Sequence, residues 1–183
     1  MSLYFHHFEK LFDQIFCQNI INKFSFDDYE KANVEVYGVK KKLNNIRNNY
    51  RIEFTSLEIA AQIHDAISST ASPPLINNKK YYAPSSNFRI YLYEKENYFK
   101  PHRDGTETVG DAESCLTCLI YLNDTKGGET VLMPKGFSDK STHITIAPQM
   151  GDMLLFDHKI WHEAKPVISG EKLVLRTNLL YKN

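Results

Sequence analysis

Asn87–Gly105, NFRIYLYEKENYFKPHRDG, is the stretch on which the reading of this chain turns. Ile90 and Leu92 alternate with Tyr91 and Tyr93, the period of a β-strand. After a polar turn, a second extended segment ends in His102-Arg103-Asp104. Side chains two apart on a strand share a face, so an imidazole and a carboxylate stand side by side. A second histidine arriving from elsewhere would complete the 2-His-1-carboxylate set, which holds non-haem Fe(II) and leaves coordination positions open. His162 is the candidate. Taken alone, His-x-Asp also fits a surface turn with an Asp cap, so the flanking sequence has to decide.

Downstream the strand period persists to the end of the chain. Phe88–Tyr93, Phe99–Asp104, Leu116–Leu122, Glu129–Met133, His143–Ala147, Met153–Phe156 and Lys172–Tyr181 are expected as strands, punctuated by turn signals at Gly127-Gly128, Met150-Gly151 and Ser169-Gly170. The segment from His162 onward reads as a loop, a turn and then a strand. Upstream, Phe8, Leu11, Phe12, Ile15 and Phe16 lie at helical spacing within Leu3–Phe24. Thr55 with Glu58 forms a capping-box pattern before a helix to Ile67, stopped by Ser68–Pro74. Short extended pieces are expected at Glu35–Val39 and Ile46–Phe54, and an exposed turn at Asn77–Lys80.

Helices followed by seven or more short strands predict an α+β, mainly β fold: a double-stranded β-helix, or jelly roll, with N-terminal helices packed on one sheet. One domain over residues 1–183 is expected, with helical support over about 1–80 and the jelly-roll core over about 85–183. A hydrophobic content of 42% beside 24% charged residues is that of a globular chain. Lys plus Arg number 22 and Asp plus Glu 22, which implies no broad attraction to nucleic acid or to an anionic membrane. Glu9 and Asp13 interrupt the first apolar pattern, so neither a secretory signal nor a membrane span is expected, and a cytoplasmic location is. Three cysteines are too few for a disulfide framework, and Cys115-x-x-Cys118 reads as two thiols on a strand.

Beyond His162 stands Lys172, ten residues on, and then Arg176. A basic side chain there, on the next strand of a jelly roll, could anchor the far carboxylate of a dicarboxylate whose other end chelates the metal. From Asn87 to Tyr181 the chain resembles the Fe(II)/2-oxoglutarate-dependent dioxygenases, the prolyl 4-hydroxylase-like branch in particular. FRIYLYEKENYFKPHRDG, LIYLND followed by GGETVLM, and HEAKPVISGEK carry the resemblance. It implies that His102, Asp104 and His162 are the iron ligands and that Lys172 binds the outer carboxylate of 2-oxoglutarate. It also matches Tyr93 and Tyr121 to tyrosines near that carboxylate. The cofactor set so implied is Fe(II), 2-oxoglutarate as cosubstrate and O2, with ascorbate a further candidate.

Two basic residues compete for one role. On a strand Lys172, Val174, Arg176 and Asn178 share a face, with Lys172 and Arg176 separated by roughly 13 Å. Lys172 is favoured because its offset from His162 is the prolyl 4-hydroxylase one; Arg176 stays open as the anchor, or as a partner of an inner carboxylate or a substrate group. The expected substrate is a prolyl residue of a peptide or protein. A small molecule or free amino acid is the alternative, and an inactive jelly-roll binding or sensor module is the rival from another class. Arg47, Asn49 and Arg51 share one face of an extended segment and line either a substrate groove or a solvated edge, while Arg89 shares the face of Tyr91 and Tyr93. Loops Thr106–Ser114 and Lys135–Thr142 are expected as lids. His64, His143 and His158 have no metal-ligand spacing and are read as structural or exposed.

Overall fold

Strand alternation from Asn87 onward is realised as two antiparallel sheets that face each other across a core. The structure, a computed structural model, describes residues 3–36, 39–41, 43, 45–70 and 73–183. The major sheet runs Phe5–Phe8, Met153–Asp157, Ala112–Tyr121, Lys172–Lys182, Asn87–Tyr93, Tyr50–Thr55 and Glu30–Lys31, with Lys80–Pro84 joining the long Lys172–Lys182 strand. The minor sheet runs Ile144–Ile146, Thr130–Met133, Trp161–Ala164 and Phe99–His102. This is the mainly-β jelly roll expected from the strand pattern.

Period two sorts each central strand of the major sheet into an outer and an inner face. Leu116, Cys118 and Ile120, with Phe88, Ile90, Leu175 and Leu179, pack outward against Ile59, Ala60, Ile63 and Ile67 of the helix Leu57–Thr70. Leu119, Tyr121 and Val174 pack inward, joined by Leu132 and Ile146 of the minor sheet. Burying the four aliphatic side chains of this set is worth roughly 1.5–3 kcal/mol each. The helices therefore cover one sheet from behind, and its inner face is left to build a site. Cys118 is buried and Cys115 half-buried, both as free thiols on the strand.

Three local expectations are corrected. The Leu3–Phe24 helix is instead a strand, Phe5–Phe8, and a short helix, Gln14–Ile21. The strand pairs with the edge of Met153–Asp157, matching Phe5 with Phe156 and Phe8 with Met153, and a sheet edge that would otherwise lack partners overrides the local periodicity. Asp13 then starts the helix by accepting the Phe16 amide at 2.7 Å. The second helix is capped by Ser56, whose hydroxyl accepts from the Ile59 amide at 3.2 Å; Thr55 is the last residue of the preceding strand. That helix continues through the serine run to Thr70, because Ser69 and Thr70 hydroxyls donate back to the Ala66 carbonyl. Val34–Val36 and Val39–Lys41 pair as strands, and Tyr37 and Gly38 of the expected Glu35–Val39 strand lie outside the described residues. The turn at Asn77–Lys80 forms as expected, with positive φ at Asn77 and Asn78. No helix among the described residues is long and apolar enough to cross a membrane.

Candidate active site

His102 and His162 meet because their strands are neighbours in the minor sheet. His162 does not lie on a loop as expected: it sits on the strand Trp161–Ala164, in register directly opposite His102. The two rings are 4.1 Å apart between centroids. Asp104 lies just past the end of the Phe99–His102 strand, not on it, yet its carboxylate turns back to the same point. One ligand atom from each of His102, Asp104 and His162 lies within 4.8 Å of the others, the one such cluster among the described residues.

Each of the three side chains is held in a form able to bind a metal. Nδ1 of His102 faces the Lys100 carbonyl at 2.9 Å, and Nδ1 of His162 faces the Ile160 carbonyl at 3.1 Å. A carbonyl only accepts, so each Nδ1 carries the proton and each Nε2 presents its lone pair inward. Burial lowers both imidazole pKa values, His102 well below the usual range, which keeps them in the neutral, ligating form. Burial, the largest single effect, would raise the Asp104 pKa, but the charge of Arg176 followed by the two histidines and a Thr117 hydrogen bond together outweigh it and hold the carboxyl well below the usual carboxylate range. The Arg176 guanidinium stands 3.1 Å from Asp104 Oδ1, and the Thr117 hydroxyl donates to Oδ2. Two neutral imidazoles and a fixed carboxylate suit a borderline divalent metal such as Fe(II).

On one side of the cluster a narrow pocket leads between the sheets to Lys172. Lys172 is 2% exposed, its Nζ donates to the Gly128 carbonyl, and it lies 5.2 Å from the ring centroid of Tyr93 and 5.5 Å from that of Tyr121. Burial lowers its pKa to about 7, against a smaller opposing effect of Glu129. Gly128, at φ +71°, makes room: a Cβ there would stand 3.0 Å from the Lys172 side chain and from Val167. Tyr93 lines the pocket, whereas the Tyr121 hydroxyl is committed to Thr130 at 2.8 Å. Of the two basic residues, Lys172 stands at the pocket's far end without a carboxylate hydrogen-bonded to it, while Arg176 is paired with Asp104.

On the other side lies an open groove of about 970 Å³. Arg47, Arg51, Glu53, Arg89, Arg103 and Glu107 are among its walls. Arg47 and Asn49 are buried, so the solvated-edge reading of that segment fails. The Arg47 guanidinium lies 3.9 Å above the Phe99 ring, which is itself stacked on His102 at 3.5 Å. Its Nε donates to Asn49 Oδ1 at 2.9 Å, and its Nη2 is buried with no hydrogen-bond partner. Arg51 and Arg89 both reach Glu53, at 3.3 and 2.9 Å. Of the two expected lids, only the root of Thr106–Ser114 lines the groove, and its far part is a small hairpin of Thr108–Val109 against Ala112–Glu113. Lys135–Thr142 lines neither compartment; Phe137 within it packs on Trp161 at 4.7 Å.

The sequence reading missed Thr117 and His158. Thr117 had a signal, since it shares the inner face with Leu119 and Tyr121 and is the one threonine amid that apolar run. His158 had none, because a turn separates it from His162.

Comparison with known proteins agrees with this geometry. The family model described as the 2OG-Fe(II) oxygenase superfamily matches residues 88–180, half of the chain. An uncharacterised protein of fowlpox virus is 29% identical over 124 residues, covering 67% of this chain and 26% of its own length. A probable prolyl 4-hydroxylase of Arabidopsis thaliana is 39% identical over 70 residues, covering 37% of this chain and 23% of its own. The chain thus spans about a quarter of the length of these relatives. Among solved structures, a prolyl hydroxylase of Trichoplax adhaerens in complex with a hypoxia-inducible factor peptide superposes with a TM-score of 0.69 at 17% identity, over 96% of this chain and 82% of that one.

Proposed function

The chain belongs to the 2OG-Fe(II) oxygenase superfamily, and on that premise we propose that it hydroxylates an unactivated C–H of a peptide or protein, a prolyl residue being the expected target. His102, Asp104 and His162 would hold the Fe(II) of the superfamily's cofactor set, and Lys172 would take the outer carboxylate of 2-oxoglutarate. The observation that carries the reading is the pair of compartments meeting at the triad, a narrow one ending on a buried lysine and an open one large enough for a chain segment. Fe(II) and 2-oxoglutarate, when bound, supply the O2-dependent oxidation of the C–H bond.

The chain's own residues orient and insulate. His102 and His162 present neutral Nε2 atoms, and Arg176 keeps Asp104 ionised. Lys172 places a charge at a fixed depth, where the buried rings of Tyr93 and Tyr121 limit access to water. An isolated buried ammonium is costly, so a carboxylate arriving there meets a partner with little water left to displace. In the groove, the Nη2 of Arg47 is buried without a partner, and a small shift of that side chain would let it donate to a peptide carbonyl. An extended peptide fits an open groove, whereas a free amino acid would call for an enclosed one. The Arabidopsis relative, a probable prolyl 4-hydroxylase, and the Trichoplax prolyl hydroxylase support the prolyl reading.

The test supplies Fe(II), 2-oxoglutarate, O2 and ascorbate with proline-containing peptides, free proline or cell extract in separate arms. Succinate formation coupled to a mass gain of one oxygen on a peptide is expected. Oxidation of free proline with every peptide inert overturns the peptide reading. No visible charge-transfer band on anaerobic addition of Fe(II) and 2-oxoglutarate to well-folded protein overturns the dioxygenase reading itself.

A further inference from the structure

Behind Asp104 lies a line of polar groups sealed inside the major sheet. The Glu107 amide donates to the Ser114 hydroxyl at 2.8 Å, Ser114 Oγ lies 2.9 Å from His158 Nε2, and His158 Nδ1 lies 2.9 Å from Thr117 Oγ. Thr117 in turn donates to Asp104 Oδ2, the carboxylate oxygen 3.6 Å from His162 Nε2. Ser114, Thr117 and His158 are 2%, 0% and 5% exposed, so none can turn to water for an alternative partner.

We propose that Thr117 and His158 are positioning residues, fixing Asp104 for metal binding through a one-way chain of hydrogen bonds that starts at the Glu107 amide.

The direction follows from counting protons. An ionised carboxylate only accepts, so the single hydroxyl proton of Thr117 goes to Asp104. Thr117 must then accept from His158, which places the proton of a neutral imidazole on Nδ1 and leaves a lone pair on Nε2. Ser114 donates to that lone pair, and its oxygen is filled by the Glu107 amide. Burial lowers the His158 pKa to about 4, consistent with a neutral ring. Every link is satisfied in one polarity, and reversing any of them leaves two donors or two acceptors facing each other in a buried place. Asp104 is thereby gripped on both oxygens, by Arg176 on Oδ1 and by Thr117 on Oδ2. Without Thr117 the carboxylate would keep its charge but lose its fixed plane. Outer partners of this kind are commonly worth 10- to 100-fold in metal affinity.

The proposal rests on the metal-ligand reading of Asp104, and the test separates the two. Co(II) alone is titrated into the full chain against a competing chelator, with melting curves recorded for each variant. Thr117→Val and His158→Leu are expected to weaken Co(II) binding by about 10- to 100-fold. Thr117→Ser keeps the hydroxyl and His158→Asn keeps an N–H donor at the Nδ1 position, so both are expected to stay within about threefold of wild type, a rescue that a merely structural role would not produce. If His158→Leu fails to fold, the contrast of Thr117→Val with Thr117→Ser carries the same test. In metal-free protein, nitrogen NMR shifts are expected to show His158 as the Nδ1–H tautomer. An Nε2–H tautomer, or wild-type Co(II) affinity in both folded Thr117→Val and His158→Leu, overturns the proposal. Wild-type protein that binds no Co(II) overturns the metal-site reading, and the proposal with it.

Discussion

The narrow pocket and the open groove share His102, Asp104 and Arg176, yet they are built in opposite ways. In the pocket a cation, Lys172, is buried with a backbone carbonyl as its hydrogen-bond partner and a glycine cleared away to admit it. In the groove most cations are already matched, Arg51 and Arg89 to Glu53, with the Arg47 Nη2 left over. A buried charge of the first kind is expensive and demands one small partner of opposite charge. A wide wall of satisfied charges with one spare donor instead fits a partner that brings mostly neutral backbone groups. The proposed two-substrate chemistry divides along that line, strict on one side of the metal and permissive on the other.

The largest effect expected falls where the two regions meet. His162→Ala removes one of the three proposed metal-ligating atoms and should reduce 2-oxoglutarate turnover to background while the melting temperature changes little. Asp104→Ala should also abolish turnover but cost stability, by about 3–5 kcal/mol, because it strands Arg176 without its partner. Full iron occupancy in folded His162→Ala would remove that residue from the site.

Lys172→Met should separate the regions. Loss of the carboxylate partner is expected to raise the 2-oxoglutarate requirement by about 2–5 kcal/mol, roughly 30-fold to several thousandfold, with peptide affinity nearly unchanged. The same substitution replaces a buried cation by an apolar chain of similar length, so the cosubstrate-free protein should melt a few degrees higher. If Arg176→Met, compared at equal folding, instead gives the larger cosubstrate defect, the anchor has been assigned to the wrong residue. Arg47→Met is the mirror experiment. It should raise the peptide KM by about 1–3 kcal/mol, roughly 5- to 150-fold, and leave 2-oxoglutarate binding alone. A cosubstrate defect in Arg47→Met would erase the distinction between the compartments.

How far the sequence could carry this division depends on how local each signal is. Leu116–Leu122 and Lys172–Tyr181 were readable as strands because their alternation survives into the fold, and the inner set of Lys172, Val174 and Arg176 lines one pocket. The cluster of His102, Asp104 and His162 was readable because His102 and Asp104 are two residues apart and His162 stands ten before Lys172. Phe5–Phe8 was misread because its pairing with Met153–Phe156 lies at the far end of the chain, and nothing local to the segment reports a vacant sheet edge. Lys172 could be favoured over Arg176 only by its offset from His162, for the same reason: the partner of Arg176, Asp104, sits on another sheet's rim. The burial of Arg47 depends on Phe99 and Asn49 closing around it, a packing outcome that an alternating Arg-x-Asn-x-Arg pattern leaves undetermined.

The smallest effect expected is a slope in pH, and it tests whether Lys172 is as isolated as it stands here. With its pKa lowered to about 7 chiefly by burial, Lys172 is charged below that pH and loses its proton as pH rises through it. Affinity for doubly ionised 2-oxoglutarate should therefore be fully present below pH 7 and decline above it, by at most about tenfold per pH unit. Metal affinity should stay level over pH 7–8.5, because burial keeps both ligand imidazoles neutral throughout. Stability runs the other way. The folded pKa lies below that of the unfolded chain, so between about 7 and 10.5 the unfolded state binds more protons, and the penalty of the buried cation shrinks as pH rises. The melting-temperature advantage of Lys172→Met should accordingly narrow between pH 6.5 and 8.5, while Lys172→Arg, charged throughout, should flatten the affinity profile. A wild-type 2-oxoglutarate affinity that is level from pH 6.5 to 8.5 would mean that Lys172 shares its charge with a nearby carboxylate, Glu129 being the candidate, and the contrast between a lone buried cation and a matched groove would fail at its stricter end.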